Sequence, residues 1–246
     1  MPSVATDPLR ALLDLPGVAT AADAARDAVD GLRRHRSLRR NSAAVTAEAA
    51  LHAARASAAL DGADYSLAAV RAADITDPVL HGALRVSGAL GGLVDTWRVA
   101  PLQVLARLHV LAAAGRAPQS QLGRPTGSAR LTALAELVVG GTEAPAVLLA
   151  AIVHGELLSL APFEVGNGVV ARAAARLGMV AAGLDPQALS VPEVGHIEAE
   201  ADYIAAVADY SAGSPAGVAH WLQHCCAAVR RGAQEGLAIC EAVQRS

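Results

Sequence analysis

Residues 161–172 read APFEVGNGVVAR and connect two segments of helical composition. Gly166 and Gly168 can adopt positive backbone φ angles, and Asn167 tolerates such angles better than most residues. In a turn of this kind the amide groups point into one concavity, and the N-terminal dipole of the next helix adds to its positive potential. Arg172 follows Gly168 by about one helical turn and can lean back towards an anion. The pattern predicts a phosphate-binding loop, and a tight helix connection without a ligand is the alternative.

Helical signals dominate the rest of the chain, and no stretch alternates with period two for long enough to predict a strand. The predicted helices lie near residues 19–34, 47–60, 66–73, 78–97, 102–114, 129–139, 145–160, 169–182, 192–210 and 215–243. Residues 116–128 hold two prolines and two glycines and form a loop, in which a trace of β-hairpin is allowed. The sequence therefore predicts an all-α fold.

The length of 246 residues is compatible with one large domain or two small ones. No internal repeat or low-complexity linker divides the chain, so one domain is the better count. We assign residues 1–43 to a loosely attached N-terminal arm or helix and residues 44–246 to a helical domain, which includes a helix near residues 47–62.

The composition excludes several classes of function. The formal net charge of -3 provides no basic field for nucleic acid or an anionic membrane. The chain contains no lysine, which excludes a Schiff-base lysine and a P-loop. Aromatic residues make up only 2%, so the core must consist of alanine, leucine and valine. The bias towards arginine and alanine suggests a bacterial, GC-rich genome.

The three cysteines are Cys225, Cys226 and Cys240, an odd and clustered set that implies no disulfide framework. We see no signal peptide at the N-terminus. The longest apolar run, residues 144–153, is about half of the roughly 20 residues that a membrane span needs. We therefore expect a cytoplasmic protein that does not enter membranes.

The loop resembles the motif of the Fic/Fido (Fic-DOC) domain family, which reads His-x-Phe-x-(Asp/Glu)-Gly-Asn-Gly-Arg-x-x-Arg between two helices. Pro162 agrees with the common form of the motif. The motif positions that match at the right spacing are Phe163, Gly166, Asn167, Gly168 and Arg172. The resemblance implies a Fic-like helical domain in which Phe163 packs the loop and the other four residues bind the phosphates of a nucleotide.

The surroundings of the loop extend this resemblance over roughly residues 57–231. His154 lies on the preceding helix where many Fic proteins have a histidine, and His109 follows a leucine as on an earlier Fic helix. Gly123 and Arg124 resemble a remnant of the Gly-x-x-Arg loop of the family. The run from Tyr203 to Arg231 resembles the closing helices.

Three positions that carry the chemistry of active Fic enzymes are apolar here. The resemblance places the general base at Ala161, the magnesium-holding acid at Val165 and the first motif arginine at Val169. Loss of a general base alone costs about 10²- to 10⁴-fold in rate. Glu164 is the neighbouring acid, but a shift of one residue changes its direction. We therefore assign no catalytic residue and expect a catalytically degenerate protein with a regulatory or binding role.

The resemblance also implies an inhibitory helix of the form (Ser/Thr)-x-x-x-Glu-(Gly/Asn). Ser57 and Asp61 occupy its first and fifth positions, with Asp61 in place of the family's glutamate. We predict a contact between Asp61 and Arg172 that closes the phosphate site. An ordinary helix end with a turn at residues 61–62 is the alternative. The family's hairpin flap, which aligns target side chains, has only a few residues left after Arg124.

Two other functions fit parts of the sequence. A divergent transferase of nucleotidyl (AMP) or phosphate groups would use other residues for the chemistry. An NAD(P)-binding oxidoreductase would use Gly166, Gly168 and Ala171 as a dinucleotide fingerprint, but that reading needs a preceding strand and a βαβ unit.

The sequence assigns no metal and no certain cofactor, although ATP or another nucleotide could bind weakly without magnesium. No protein partner is identifiable, and the resemblance makes a homodimer one expected assembly. His220 and His224 are spaced for a metal site, but packing is the preferred interpretation. His109 and His154 are read as core histidines, and the arginine-rich residues 33–40 as a solvated charge run.

Overall fold

The structure is a computed structural model that describes residues 7–73 and 75–245. These ranges contain helices and turns and no strand, which confirms the all-α prediction. The trace of hairpin that the sequence allowed in residues 116–128 is not formed: this segment consists of turns and irregular backbone. Residues 1–6 of the predicted arm lie outside the described residues.

Twelve α-helices are present in the described residues, with short 3₁₀ helices at Arg10–Asp14 and Leu90–Leu93. They are α1 (Val18–Arg33), α2 (Leu38–Leu60), α3 (Leu67–Ala72), α4 (Pro78–Ala89), α5 (Val94–Val99), α6 (Pro101–Ala113), α7 (Ala129–Gly140), α8 (Ala146–Leu160), α9 (Asn167–Ala181), α10 (Pro192–Glu198), α11 (Glu200–Ala212) and α12 (Pro215–Arg245).

Several helix starts are fixed by local side-chain chemistry. The side chain of Ser66 accepts a hydrogen bond from the amide of Ala69, and Asp77 accepts bonds from Val79 and Leu80. Such caps satisfy amides that have no partner within the helix. Proline occupies the first position of α4 and α6, where its missing N–H costs nothing. The sequence predicted these three starts.

Two predicted helices are interrupted. The helix expected over residues 78–97 ends at Ala89 and resumes at Val94, with Gly91 and Gly92 in the 3₁₀ turn between the two parts. The helix expected over residues 192–210 breaks at Ala199, whose φ and ψ of -122° and 42° are not helical. A glycine pair weakens a helix, whereas nothing in the local sequence marks the second break.

The motif loop connects α8 and α9, which lie side by side. Around this pair lie α2, α4, α6 and α12. α12 crosses α10 closely enough that a side chain at Gly195 would overlap the backbone of Ala228. Trp221 of α12 is fully buried and donates a hydrogen bond to the carbonyl of Ala151 at 2.8 Å. Small residues let these helices approach.

Helix α1 is packed rather than loosely attached, which corrects the expectation for that part of the arm. It lies along α12, and its Val18, Val29 and Leu32 are fully buried. Helix α2 begins at Leu38, earlier than the residue 47 expected, with a non-helical residue at Asn41. The division of the chain at residues 43–44 stays a prediction.

Candidate functional site

The loop between α8 and α9 is held by its own polar side chain. Ala161 ends α8 with a φ of 41°, and Gly166 precedes α9 with a φ of 78°. The Asn167 side chain accepts from the Phe163 amide at 3.0 Å and donates to the Phe163 carbonyl at 2.6 Å. These two bonds hold the side chain of Asn167 against the backbone of Phe163 and shape the loop.

Phe163 fixes the loop to α6. Its ring stacks on the ring of His109, with centroids 4.0 Å apart and planes 8° from parallel. His109 Nδ1 accepts a hydrogen bond from the Gly123 amide at 2.9 Å, and burial lowers the pKa of this histidine. The neutral ring thus joins the loop to residues 116–128. His109 is a core residue with a defined partner, as the sequence indicated.

The segment in the position of the flap also touches the motif loop. The amide of Thr126 donates a hydrogen bond to the carbonyl of Pro162 at 2.7 Å. This contact joins residues 116–128 to the start of the motif loop, and the segment forms no strand. The loss of target docking at this segment stays a prediction.

Arg172 is the most completely bonded charge in the site. Its Nε donates to Ser57 Oγ at 2.9 Å, and its Nη2 donates to the Ser57 carbonyl at 2.8 Å and to Asp61 Oδ1 at 2.6 Å. Its Nη1 lies 3.4 Å from the hydroxyl of Tyr203. Burial disfavours the charge of Arg172, but the neighbouring Asp61 carboxylate and Tyr203 outweigh that effect and raise its pKa. The predicted contact between Asp61 and Arg172 is therefore present.

The Asp61 carboxylate lies against the loop as well as against the arginine. A side chain on Gly168 would overlap Asp61 Oδ1, and the guanidinium of Arg172 would lie 3.0 Å from it. The carboxylate thus sits over the first turn of α9, where the amides and the helix dipole favour a negative charge. Helix α2 reaches this point because its C-terminal turn, residues 57–61, packs beside α9.

The three substituted positions provide no group for acid–base or metal chemistry. Ala161 is exposed, Val165 is partly buried and Val169 is buried in the core. Methyl and isopropyl groups neither take up a proton nor ligate magnesium. Glu164 is exposed on the loop.

A row of buried aromatic and imidazole groups lies behind Arg172. Tyr203 accepts from Arg172, so its own proton is available to His154 Nε2, 2.9 Å away. Burial, with the nearby Arg172, lowers the pKa of His154 well below the usual range. His154 is therefore a neutral core histidine, as the sequence indicated. The sequence did not reveal Tyr203 as a partner of Arg172, because α9 and α11 meet only in the fold.

A second row of histidines runs from the interior to the surface. His196 Nδ1 lies 3.0 Å from His224 Nε2, and His224 Nδ1 lies 2.6 Å from Asp202 Oδ2. His220 pairs with both Asp202 and Asp209 at 3.1 and 2.8 Å. Burial lowers the pKa of His196 and His224, whereas hydrogen bonds to Asp209 and Asp202 raise that of His220. His196 carried no sequence signal.

The spacing of His220 and His224 therefore serves hydrogen bonding to acidic side chains. Within residues 7–73 and 75–245 no group of three histidine, cysteine or acidic residues is arranged to hold a metal ion. Cys225, Cys226 and Cys240 are buried and unpaired as disulfides. Burial raises the pKa of the Cys226 thiol to about 12. These residues pack as small apolar groups.

The dinucleotide fingerprint lacks its structural context. Gly166, Gly168 and Ala171 follow α8 and not a strand, and the described part of the chain contains no parallel sheet. An NAD(P)-binding βαβ unit is therefore not formed there. In the same described residues, no helix combines the length and the apolar content that crossing a membrane requires.

The sequence matches no family model and no curated protein. Solved structures do match. A Fic family protein from Desulfovibrio desulfuricans G20 is 19% identical with a TM-score of 0.70, over 91% of this chain and 74% of that one. A fragment of Fic-1 from C. elegans is 17% identical with a TM-score of 0.69, over 92% of this chain and 73% of that one. The chain has the fold of Fic proteins, which confirms the resemblance that the loop motif indicated.

Proposed function

We propose that this chain is a catalytically degenerate Fic-like protein that acts by binding or regulation. It holds the phosphates of a nucleotide, or another anion, weakly at the amides of residues 166–168 and at Arg172. The Asp61 carboxylate closes this site when no ligand is bound. The observation that carries the proposal is the position of that carboxylate, against Gly168 and 2.6 Å from Arg172 Nη2.

The position of Asp61 supports anion binding because a carboxylate is stabilised where the local electrostatic potential is positive. The first turn of α9 and the guanidinium of Arg172 are the two sources of that potential. A phosphate carries more charge than a carboxylate and has more acceptor oxygens, so it can replace Asp61 at both. Binding then requires the C-terminal turn of α2 to move away or the Asp61 side chain to rotate.

The same geometry explains why binding is expected to be weak. Arg172 keeps two hydrogen bonds to Ser57 in addition to the one to Asp61, so the closed arrangement is stabilised independently of the loop. A ligand must compete with this arrangement, and its apparent affinity falls by the fraction of molecules that are open. Without an acid at residue 165, magnesium does not assist.

The absence of a base and of a metal ligand at residues 161 and 165 supports a binding role over group transfer. A divergent AMP or phosphate-group transferase is the second candidate, and it would need a base from elsewhere. The only described acid on the loop itself is Glu164, which is exposed. Transfer of label from ATP to a protein would favour this candidate.

Binding of ATP in the absence of magnesium, measured by isothermal titration calorimetry, tests the proposal. Replacing Asp61 by asparagine removes the competing charge and keeps the shape, so we expect ATP to bind about tenfold more tightly, which corresponds to about 1.4 kcal/mol. Asp64→Asn is the matched control, since Asp64 is exposed and pairs with Arg55 away from the loop. Equal affinities for the wild type, Asp61→Asn and Asp64→Asn would contradict the proposal.

A further inference from the structure

A cavity of about 30 Å³ lies between α8, α9, α10 and α12, behind the candidate anion site. Its polar lining consists of His154, Arg172, Arg176, Glu193 and His196, with the thiol of Cys225 beside them. The remaining lining residues include the small or apolar Ala150, Ala151 and Val229. The cavity therefore brings two arginines, one acid and two imidazoles to one enclosed place.

Arg176 and Glu193 face each other in this cavity without a direct hydrogen bond. They are 2% and 5% exposed, and the shortest ion-pair distance, from Arg176 Nη1 to Glu193 Oε1, is 3.7 Å. Arg176 Nη2 donates to the Ala188 carbonyl at 2.8 Å. Arg176 Nε and Nη1 and Glu193 Oε2 are buried and find no hydrogen-bond partner among the described residues. Buried polar atoms in native proteins normally have a protein or water partner.

The two histidines of the cavity offer complementary hydrogen-bonding groups. Asp202 accepts from His224, so His224 Nε2 accepts from His196 Nδ1, and the second nitrogen of the neutral His196 is an acceptor. His154 accepts from Tyr203 at Nε2, so its second nitrogen carries the proton and is a donor. The ring centroids of His154 and His196 are 5.1 Å apart. One molecule that both accepts and donates can serve both rings.

The charged side chains around the cavity compensate one another, so the cavity favours a neutral ligand. Glu193 compensates Arg176, and Asp61 compensates Arg172, while burial keeps His154 and His196 uncharged. An added anion or cation would be an unpaired buried charge, which is costly. The volume is enough for one or two water molecules, since each needs on the order of 10–15 Å³.

We propose that one or two ordered water molecules occupy this cavity and bridge Arg176 to Glu193 and His154 to His196. The water accepts from Arg176 and from His154 and donates to Glu193 Oε2 and to His196. The water thereby connects two series of hydrogen-bonded side chains. One begins with Asp61 and Arg172 at the loop, and the other ends with Asp202 at the surface. These waters lie in the interior of the molecule, and their presence does not depend on whether a nucleotide binds at the loop.

A crystal structure of the unmodified protein at a resolution that orders internal waters, with a bromide-soaked crystal, gives the first test. We expect one or two density peaks within hydrogen-bond distance of Arg176 Nη1 or Nε and of Glu193 Oε2, without anomalous signal from bromide. A direct Arg176–Glu193 hydrogen bond with no peak between the side chains would overturn the proposal. An anomalous bromide peak in the cavity would overturn it too, in favour of an anion.

Magnetic relaxation dispersion of water gives the second test in solution, because it counts long-lived internal waters. The double variant Arg176→Met, Glu193→Leu replaces the pair with apolar groups of similar size and should lose one or two such waters. Arg107→Met, at an exposed position of α6, should keep the wild-type count. A double variant that folds and keeps the wild-type count would overturn the proposal.

Discussion

Arg172 and Arg176 lie one turn apart on α9, and both are almost completely buried, yet their surroundings differ. Arg172 has hydrogen bonds to Ser57, Asp61 and Tyr203 that involve all of its guanidinium nitrogens. Arg176 has one bond, to a carbonyl, and an acid that stays 3.7 Å away. The comparison shows that the arginine at the loop is satisfied by neighbouring helices that close over it, whereas the arginine behind it is arranged around a cavity.

The largest effect on stability is expected when the charge of Arg172 is removed. Arg172→Met leaves the Asp61 carboxylate without its partner at a site where it is mostly buried. We expect a loss of about 3–5 kcal/mol in the free energy of unfolding, as is typical when one partner of a buried pair is removed. Urea denaturation measures it. Arg107→Met, on the exposed face of α6, should change stability by less than about 0.5 kcal/mol; a similar loss in both variants would contradict the account.

The corresponding substitution of Arg176 should lower the free energy of unfolding by less. Arg176→Met leaves Glu193 buried, but a water-filled cavity can still solvate its carboxylate. We expect a loss of about 1–3 kcal/mol, again from urea denaturation. Adding Glu193→Leu should recover part of that loss, because no buried charge is then left unpaired. A double variant no more stable than Arg176→Met alone would contradict the inference that an unpaired Glu193 carboxylate causes part of the loss.

The histidines behind Arg172 make stability depend on pH. Burial lowers the pKa of both His154 and His196 in the folded protein. The protein therefore takes up protons when it unfolds at acidic pH. Their contribution is complete above the unfolded pKa of about 6.5 and is lost as the pH falls below it. Between pH 7.5 and 5.5 we expect the free energy of unfolding to fall by about 1–2 kcal/mol. His196→Gln should reduce this slope, and an unchanged slope would contradict the assignment.

The smallest effect on stability is expected from a substitution in the motif loop itself. Asn167→Ala removes the two hydrogen bonds to Phe163 and should cost about 1–2 kcal/mol. The Phe163 amide, which loses its acceptor, should exchange with solvent faster, as hydrogen exchange measured by NMR can show. Unchanged protection of this amide would mean that packing against His109 alone holds the loop.

The loop and most helices could be predicted because their determinants are local. Glycine and asparagine set the turn at residues 166–168, and Ser66, Asp77 and Pro101 mark helix starts. The contact of Asp61 with Arg172 also came from the sequence, but only through the resemblance to Fic proteins. The break at Ala199 and the rows through Tyr203, His196 and Glu193 could not be predicted, because they depend on which faces of α9, α10, α11 and α12 meet in space.

We propose that the loop keeps an anion site while the side chains at residues 161, 165 and 169 no longer support transfer. Incubation of the Asp61→Asn variant with labelled ATP, magnesium and a cell lysate tests it most directly, with calorimetry on the same preparation. We expect that ATP binds to this variant more tightly than to the wild type, and that no protein acquires label in a manner that requires Arg172. Covalent label that appears with Asp61→Asn and disappears when Arg172 is also replaced would contradict it.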